Sequence, residues 1–216
     1  MNIPDIIYFV LLLAAIVLFL IAARNKQYFS SAIIAYLVLV LTTSILAVYL
    51  QKAGVRNNLF LFHIYTPIAY TILSVLYLNA ITSVLLKKII TTSIPFFIIL
   101  SIVFSAFVQK PDESNSYINI IMSLLIITWS LFYLREVLLL QQVTHLQRFP
   151  MFWICVGILF CFTGNLITEG MLNYLIKYSM EIARRAYGFT YIFKYLSFVL
   201  LMIGAWCQIA FKNSFS

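Results

Sequence analysis

Three sets of polar residues, each at helical spacing, interrupt the otherwise apolar stretches of this 216-residue chain. In GNLITEGMLNYLIK, Gly164 to Lys177, the residues Asn165, Glu169 and Asn173 recur every fourth position and share one helix face. In AYGFTYIFKYLSF, Lys194 has Tyr187, Thr190 and Ser197 at i−7, i−4 and i+3. In FHIYTPIAYTILS, the residues His63, Thr66, Tyr70 and Ser74 fall at i, i+3, i+7 and i+11. A carboxylate among apolar residues is costly unless it is paired or protonated, so Glu169 must face a bundle interior or water. Lys194 is its natural partner, because both residues sit roughly 10 to 12 Å in from the same surface at helical rise. Such a pair can lock two helices together, can break when a ligand takes its charges, or can pass a proton. The ligand-binding set read from these faces is His63, Tyr70, Asn165, Glu169, Asn173, Tyr187 and Lys194.

Other chemistries lack their residues. A catalytic zinc needs three converging ligands and an open position, and the chain has two histidines, His63 and His145, expected on opposite sides. There is no H-E-x-x-H, no G-x-S-x-G and no phosphate-cradling glycine loop. No apolar span contains an aspartate pair. A lysine in a seventh span invites comparison with retinal proteins, but the third span offers His63 and hydroxyls where those place carboxylate counter-ions. No catalytic residue, metal or cofactor is therefore expected.

The elements that must position these faces are long apolar runs. The chain is 64% hydrophobic and 9% charged, against about 25% charged in soluble domains. Runs near the roughly 20 residues needed to cross a bilayer recur throughout, which predicts an all-α, polytopic integral membrane protein forming one seven-helix bundle. The spans are expected at about 3–23, 31–50, 59–85, 89–107, 117–139, 152–176 and 186–210. Between the third and fourth, only Lys87 and Lys88 are left to turn the chain. A single helix from Leu59 to Phe107 would be about 73 Å long, too long for a bilayer. Gly157, Cys161, Gly164 and Thr168 form a second stripe in the sixth span, small enough to admit a neighbouring backbone.

Asp5 precedes the apolar run of the first span and Arg24 and Lys26 follow it, the reverse of a secretory leader. This predicts an N-out, C-in orientation in the cell inner membrane. The net charge of +8 is spread a few cations per loop, which suits lipid headgroups rather than nucleic acid. Cys155, Cys161 and Cys207 lie within spans and read as packing residues. The region from Arg135 to Arg148, with Glu136 and His145, is the expected docking surface for an inner-side signalling partner, and its simpler reading is a helix end at headgroup level.

The stretches NNLFLFHIYTPIAYTILSVLY (Asn57 to Tyr77), FWICVGILFCFTGN (Phe152 to Asn165) and LMIGAW (Leu201 to Trp206) resemble a group of uncharacterised seven-helix bacterial membrane proteins of Bacteroidetes type. Their membrane unit is similar to the part fused to, or encoded with, sensor histidine kinases. The resemblance covers most of the chain from the third span onward and implies a sensory or receptor-like module with no catalytic residues to carry over. The chain reaches Ser216 without a kinase, so output through a partner in trans is expected. A small-solute transporter using Glu169 for proton coupling, and a non-catalytic accessory subunit, remain alternatives.

Overall fold

Seven helices fold from these runs in a computed structural model: α1 (Ile3–Ala22), α2 (Tyr28–Lys52), α3 (Phe60–Ala80), α4 (Val84–Phe107), α5 (Ser116–Leu139), α6 (Pro150–Tyr178) and α7 (Met180–Ala210). The structure describes residues 3–25, 28–55, 57–109, 114–139, 146–178 and 180–211, excepting the side chains of 25, 28 and 172–187. Among these residues, all seven helices are long and apolar enough to cross a membrane. By length and composition the chain is a multi-pass membrane protein.

Short connections make successive helices antiparallel, so the amino terminus of α1 shares one end of the bundle with the starts of α3, α5 and α7. Hydrogen bonds tie that end together: Asn58 Nδ2 donates to the Ala47 carbonyl at 2.9 Å, and the Tyr191 hydroxyl donates to Asp5 Oδ1 at 2.9 Å. At the opposite end, Ser30 donates to Gln208 Oε1, whose amide donates to the Ala22 carbonyl. Helix packing runs α1 to α2 to α3 to α5 to α6 to α7 and back to α1, a closed ring. α4 lies outside it, packed on α3.

Two boundaries differ from expectation. The chain turns between α3 and α4 at Ile81–Ser83 rather than at Lys87 and Lys88. Ser83 takes an extended conformation and its hydroxyl accepts from the Leu86 amide, so it caps α4 and places both lysines inside the first turns. Glu136 of α5 fixes this turn: its Oε1 accepts from the Thr82 amide at 2.8 Å and also from the Thr82 hydroxyl. A carboxylate acceptor for two donors is a strong anchor. Glu136→Ala is expected to destabilise the protein by about 1–3 kcal/mol, read as a lower unfolding midpoint in detergent, with Arg135→Ala as the near-neutral comparison because Arg135 is exposed.

The second difference is at α6 and α7, which continue to Tyr178 and begin at Met180, where a connection spanning 177–185 was expected. The charges in MEIARRA end the apolar run but are good helix formers. Hydropathy marks where a span ends, not where a helix ends.

The small-residue stripe of α6 meets α7. A Cβ on Gly157 would lie 3.1 Å from the Ser197 carbonyl oxygen, and one on Gly164 would lie 2.5 Å from Phe193 Cβ and 2.8 Å from its Cδ2. Thr168 continues the seam with a 2.9 Å hydroxyl contact to Thr190. Missing side chains here let α6 and α7 approach closely.

Candidate functional site

The ring of six helices encloses a cavity of about 170 Å³ in the half of the bundle that holds the amino terminus. α6 contributes Cys161, Phe162, Asn165, Thr168 and Glu169, and α7 contributes Thr190, Lys194, Ser197, Phe198 and Leu201. These are the inward faces of the two polar stripes, and at 3.6 residues per turn each set spans about two to three turns of one helix side. α2 adds Tyr36, Thr43 and Ser44, α5 adds Asn119, Met122 and Ser123, and α1 adds Tyr8.

Glu169 and Lys194 are both half-buried. The carboxylate hydrogen-bonds to Ser116 and Asn119 of α5 and lies in the field of the Lys194 ammonium. Its Oε2 atom is buried without a hydrogen-bond partner. The Lys194 Nζ stands 5.7 Å from the centroid of the Tyr8 ring, within cation–π range. The start of α1 is held beside this lysine by α7, because the Tyr195 hydroxyl donates to the Pro4 carbonyl at 2.7 Å and Tyr191 binds Asp5.

Asn119 connects the carboxylate to α3. Its Oδ1 lies 2.9 Å from the Thr66 hydroxyl, which shares its proton between Asn119 and the Phe62 carbonyl. Asn115 Nδ2 donates to the same hydroxyl at 3.3 Å. A second polar contact crosses the cavity wall between α2 and α3, where Tyr36 and Tyr65 hydrogen-bond.

Of the residues read from sequence, Asn165, Glu169 and Lys194 meet in the cavity. His63 and Tyr70 do not reach it. The His63 Nδ1 is 2.7 Å from the Ser105 hydroxyl, and the Tyr70 hydroxyl is 2.6 Å from Ser93, both on α4. Tyr70 also packs on Phe97 with ring centroids 4.1 Å apart. The stripe His63, Thr66, Tyr70 and Ser74 thus faces α4 and α5, and α3 presents Phe62 and Tyr65 to the cavity instead. The side chains of Asn173 and Tyr187 lie outside the described residues.

Two signals in the sequence mark this arrangement. Ser93, Phe97, Ser101 and Ser105 recur every fourth residue in α4 and form the complement of the α3 stripe. Ser116, Asn119 and Ser123, at i, i+3 and i+7 in α5, form the polar face that receives Glu169. Thr43 and Ser44 carry no comparable periodic signal.

Parts of the expected inner-side docking surface are engaged within the chain. Glu136 holds Thr82, the Gln147 carbonyl accepts from the Trp153 indole at 2.8 Å, and the Arg148 guanidinium lies 5.3 Å over the Phe211 ring. Residues 140–145, including His145, lie outside the described residues. No protein family, curated protein or solved structure matches the chain.

Proposed function

We propose that this protein is a seven-helix sensory or receptor module that binds a small polar or amphipathic ligand in the cavity and signals to a partner. The observation that carries this reading is the asymmetry of the ring interior. One half holds a cavity lined by Glu169, Lys194, Asn119 and Asn165. The other half is filled mainly by fully buried apolar side chains, among them Ile33, Leu37, Leu73, Leu76, Ile126 and Ile154. A pocket that ends on a packed core suits binding at one side better than passage through.

In the proposed orientation, N-out and C-in in the bacterial inner membrane, the cavity belongs to the outer half. A ligand seated there touches α6 and α7 at once. It shifts their equilibrium only if one arrangement binds it more tightly, and the Glu169 and Lys194 charges are the contacts with the largest differential. The signal then passes down the α6–α7 seam toward the Arg135–Arg148 end, where a cytoplasmic or membrane partner would read it.

The transporter alternative rests on the same charged residues. Wild-type protein in nanodiscs, screened against small polar metabolites, should show saturable thermal stabilisation by at least one compound, and Glu169→Gln should abolish that stabilisation. The stabilising compound, radiolabelled, should not accumulate in proteoliposomes. Accumulation would replace the receptor by a transporter, and stabilisation unaffected by Glu169→Gln would remove the cavity from the mechanism.

A further inference from the structure

The charges that line the cavity are already engaged within the protein, which restricts the ligand, and the restriction rests on the reading of the cavity as a binding site. Glu169 accepts from Ser116 and Asn119 and lies in the field of Lys194, and its Oε2 atom is fully enclosed by protein. Lys194 is engaged as well, with its ammonium 5.7 Å from the centroid of the Tyr8 ring and with further interactions beside it. A charged guest would give up its hydration on entering a low-dielectric space and meet two charges that oppose each other, so no net counter-charge offsets that loss. A neutral guest avoids this cost. If it carries a dipole, it also gains from lying in the field between a carboxylate and an ammonium.

Three other lining residues keep hydrogen-bonding capacity for such a guest: Thr43 of α2, Ser123 of α5 and Asn165 of α6. Among the described residues none hydrogen-bonds to these side chains, and their polar atoms keep accessible surface. Ser123 is only 2% exposed, so its hydroxyl is a deep group whose accessible side is the cavity. Groups at such depth are ordinarily paired, and a guest with both a donor and an acceptor would pair them. The rest of the wall is largely aromatic. Tyr36, Phe62, Tyr65 and Phe162 present rings, which favour stacked or edge-on contact with another ring. Size is selective too, since a cavity of about 150 Å³ takes a molecule of benzene's size, and this one holds about 170 Å³. That is room for one ring with a small substituent.

We propose that the cavity binds a neutral single-ring aromatic molecule of the amide or alcohol class, its ring among the tyrosine and phenylalanine side chains and its polar group held by Asn165 and Ser123. The ligand would join α5 to α6 beside the Glu169 and Lys194 charges, one helical turn from Glu169 itself, which lets its binding bias the α6–α7 seam.

The test uses full-length protein in nanodiscs, with protein-free nanodiscs as the partition blank, and four probes built on one ring: benzamide, benzoate, benzamidinium and toluene. The first three share a shape and differ in charge, and toluene lacks the hydrogen-bonding group. Benzamide should bind saturably by calorimetry and raise the unfolding midpoint. Benzoate and benzamidinium should bind at least about tenfold more weakly, and toluene at least about fivefold more weakly. Ser123→Ala and Asn165→Leu should each weaken benzamide binding by about threefold or more. If a variant does not fold, the comparison of four probes on the wild type still decides. Benzoate or benzamidinium binding as tightly as benzamide overturns the neutral assignment, toluene binding as tightly overturns the hydrogen-bonding group, and benzamide binding unchanged in both variants overturns the site; each leaves the receptor reading standing. Absence of saturable binding by all four overturns the proposal, and the metabolite screen on the same preparation then separates the two readings: a hit lost in Glu169→Gln keeps the receptor, and no hit overturns it as well.

Discussion

Replacing Gly164 with leucine is expected to produce a large loss of stability. A Cβ at this position already falls 2.5 Å from the Cβ of Phe193, and that atom is fixed by the α7 backbone, so no rotamer change relieves the clash. The helices must separate, breaking the Thr168–Thr190 contact and opening the α6 side of the cavity. Overpacking a close seam costs about 1–3 kcal/mol and occasionally more. Gly170→Ala is the control, because nothing lies within 4 Å of a Cβ there, and alanine favours a helix by about 1 kcal/mol over glycine. Thermal unfolding of both variants in the same detergent decides the matter: a Gly164→Leu midpoint equal to that of Gly170→Ala would mean that α6 and α7 do not pack through this stripe.

The second large effect is expected at Asn119. Its side chain stands between Thr66 of α3 and Glu169 of α6, so leucine there removes a hydrogen-bond partner from a half-buried carboxylate and fills part of the cavity. Thr66 retains the Phe62 carbonyl at 2.7 Å, and the loss therefore falls mainly on Glu169. Leaving a buried polar group without its partner costs about 1–3 kcal/mol. Asn119→Leu should lower the unfolding midpoint and, on the proposed receptor reading, abolish ligand-dependent stabilisation. Glu169→Leu alone should also destabilise, but the double variant should lose less than the sum, with a coupling of about 0.5–3 kcal/mol for residues in direct contact. Strict additivity in that cycle would show that Asn119 and Glu169 act independently and that α5 has no part in holding the carboxylate.

These two predictions divide the molecule by function. Gly164 concerns the seam through which a shift of α6 against α7 would travel. Asn119 concerns the wall that holds the charged group in place before any ligand arrives. Glu136, at the opposite end, anchors the turn between α3 and α4 and belongs to neither.

The apolar runs alone determine seven helices and their lengths near a bilayer thickness, because the cost of an unsatisfied backbone in hydrocarbon leaves helices as the open solution for such runs. Stripe spacing likewise determines that Asn165 and Glu169 share a face, that Thr190, Lys194 and Ser197 share another, and that Gly157 and Gly164 line a close packing surface. Covalent geometry and helical period fix these relations within one helix. Which helix each stripe meets is a relation between segments, and it is set by packing around the whole ring. The α3 stripe of His63 and Tyr70 could have turned toward α6 and α7, yet α4 offers Ser93 and Ser105 at matching heights and claims it. Glu169 could have been held by Lys194 alone, yet α5 brings Ser116 and Asn119 to it. Placing α4 outside the ring and α5 inside it decided the lining of the cavity, because a polar side chain in an apolar interior goes to whichever neighbour can satisfy it.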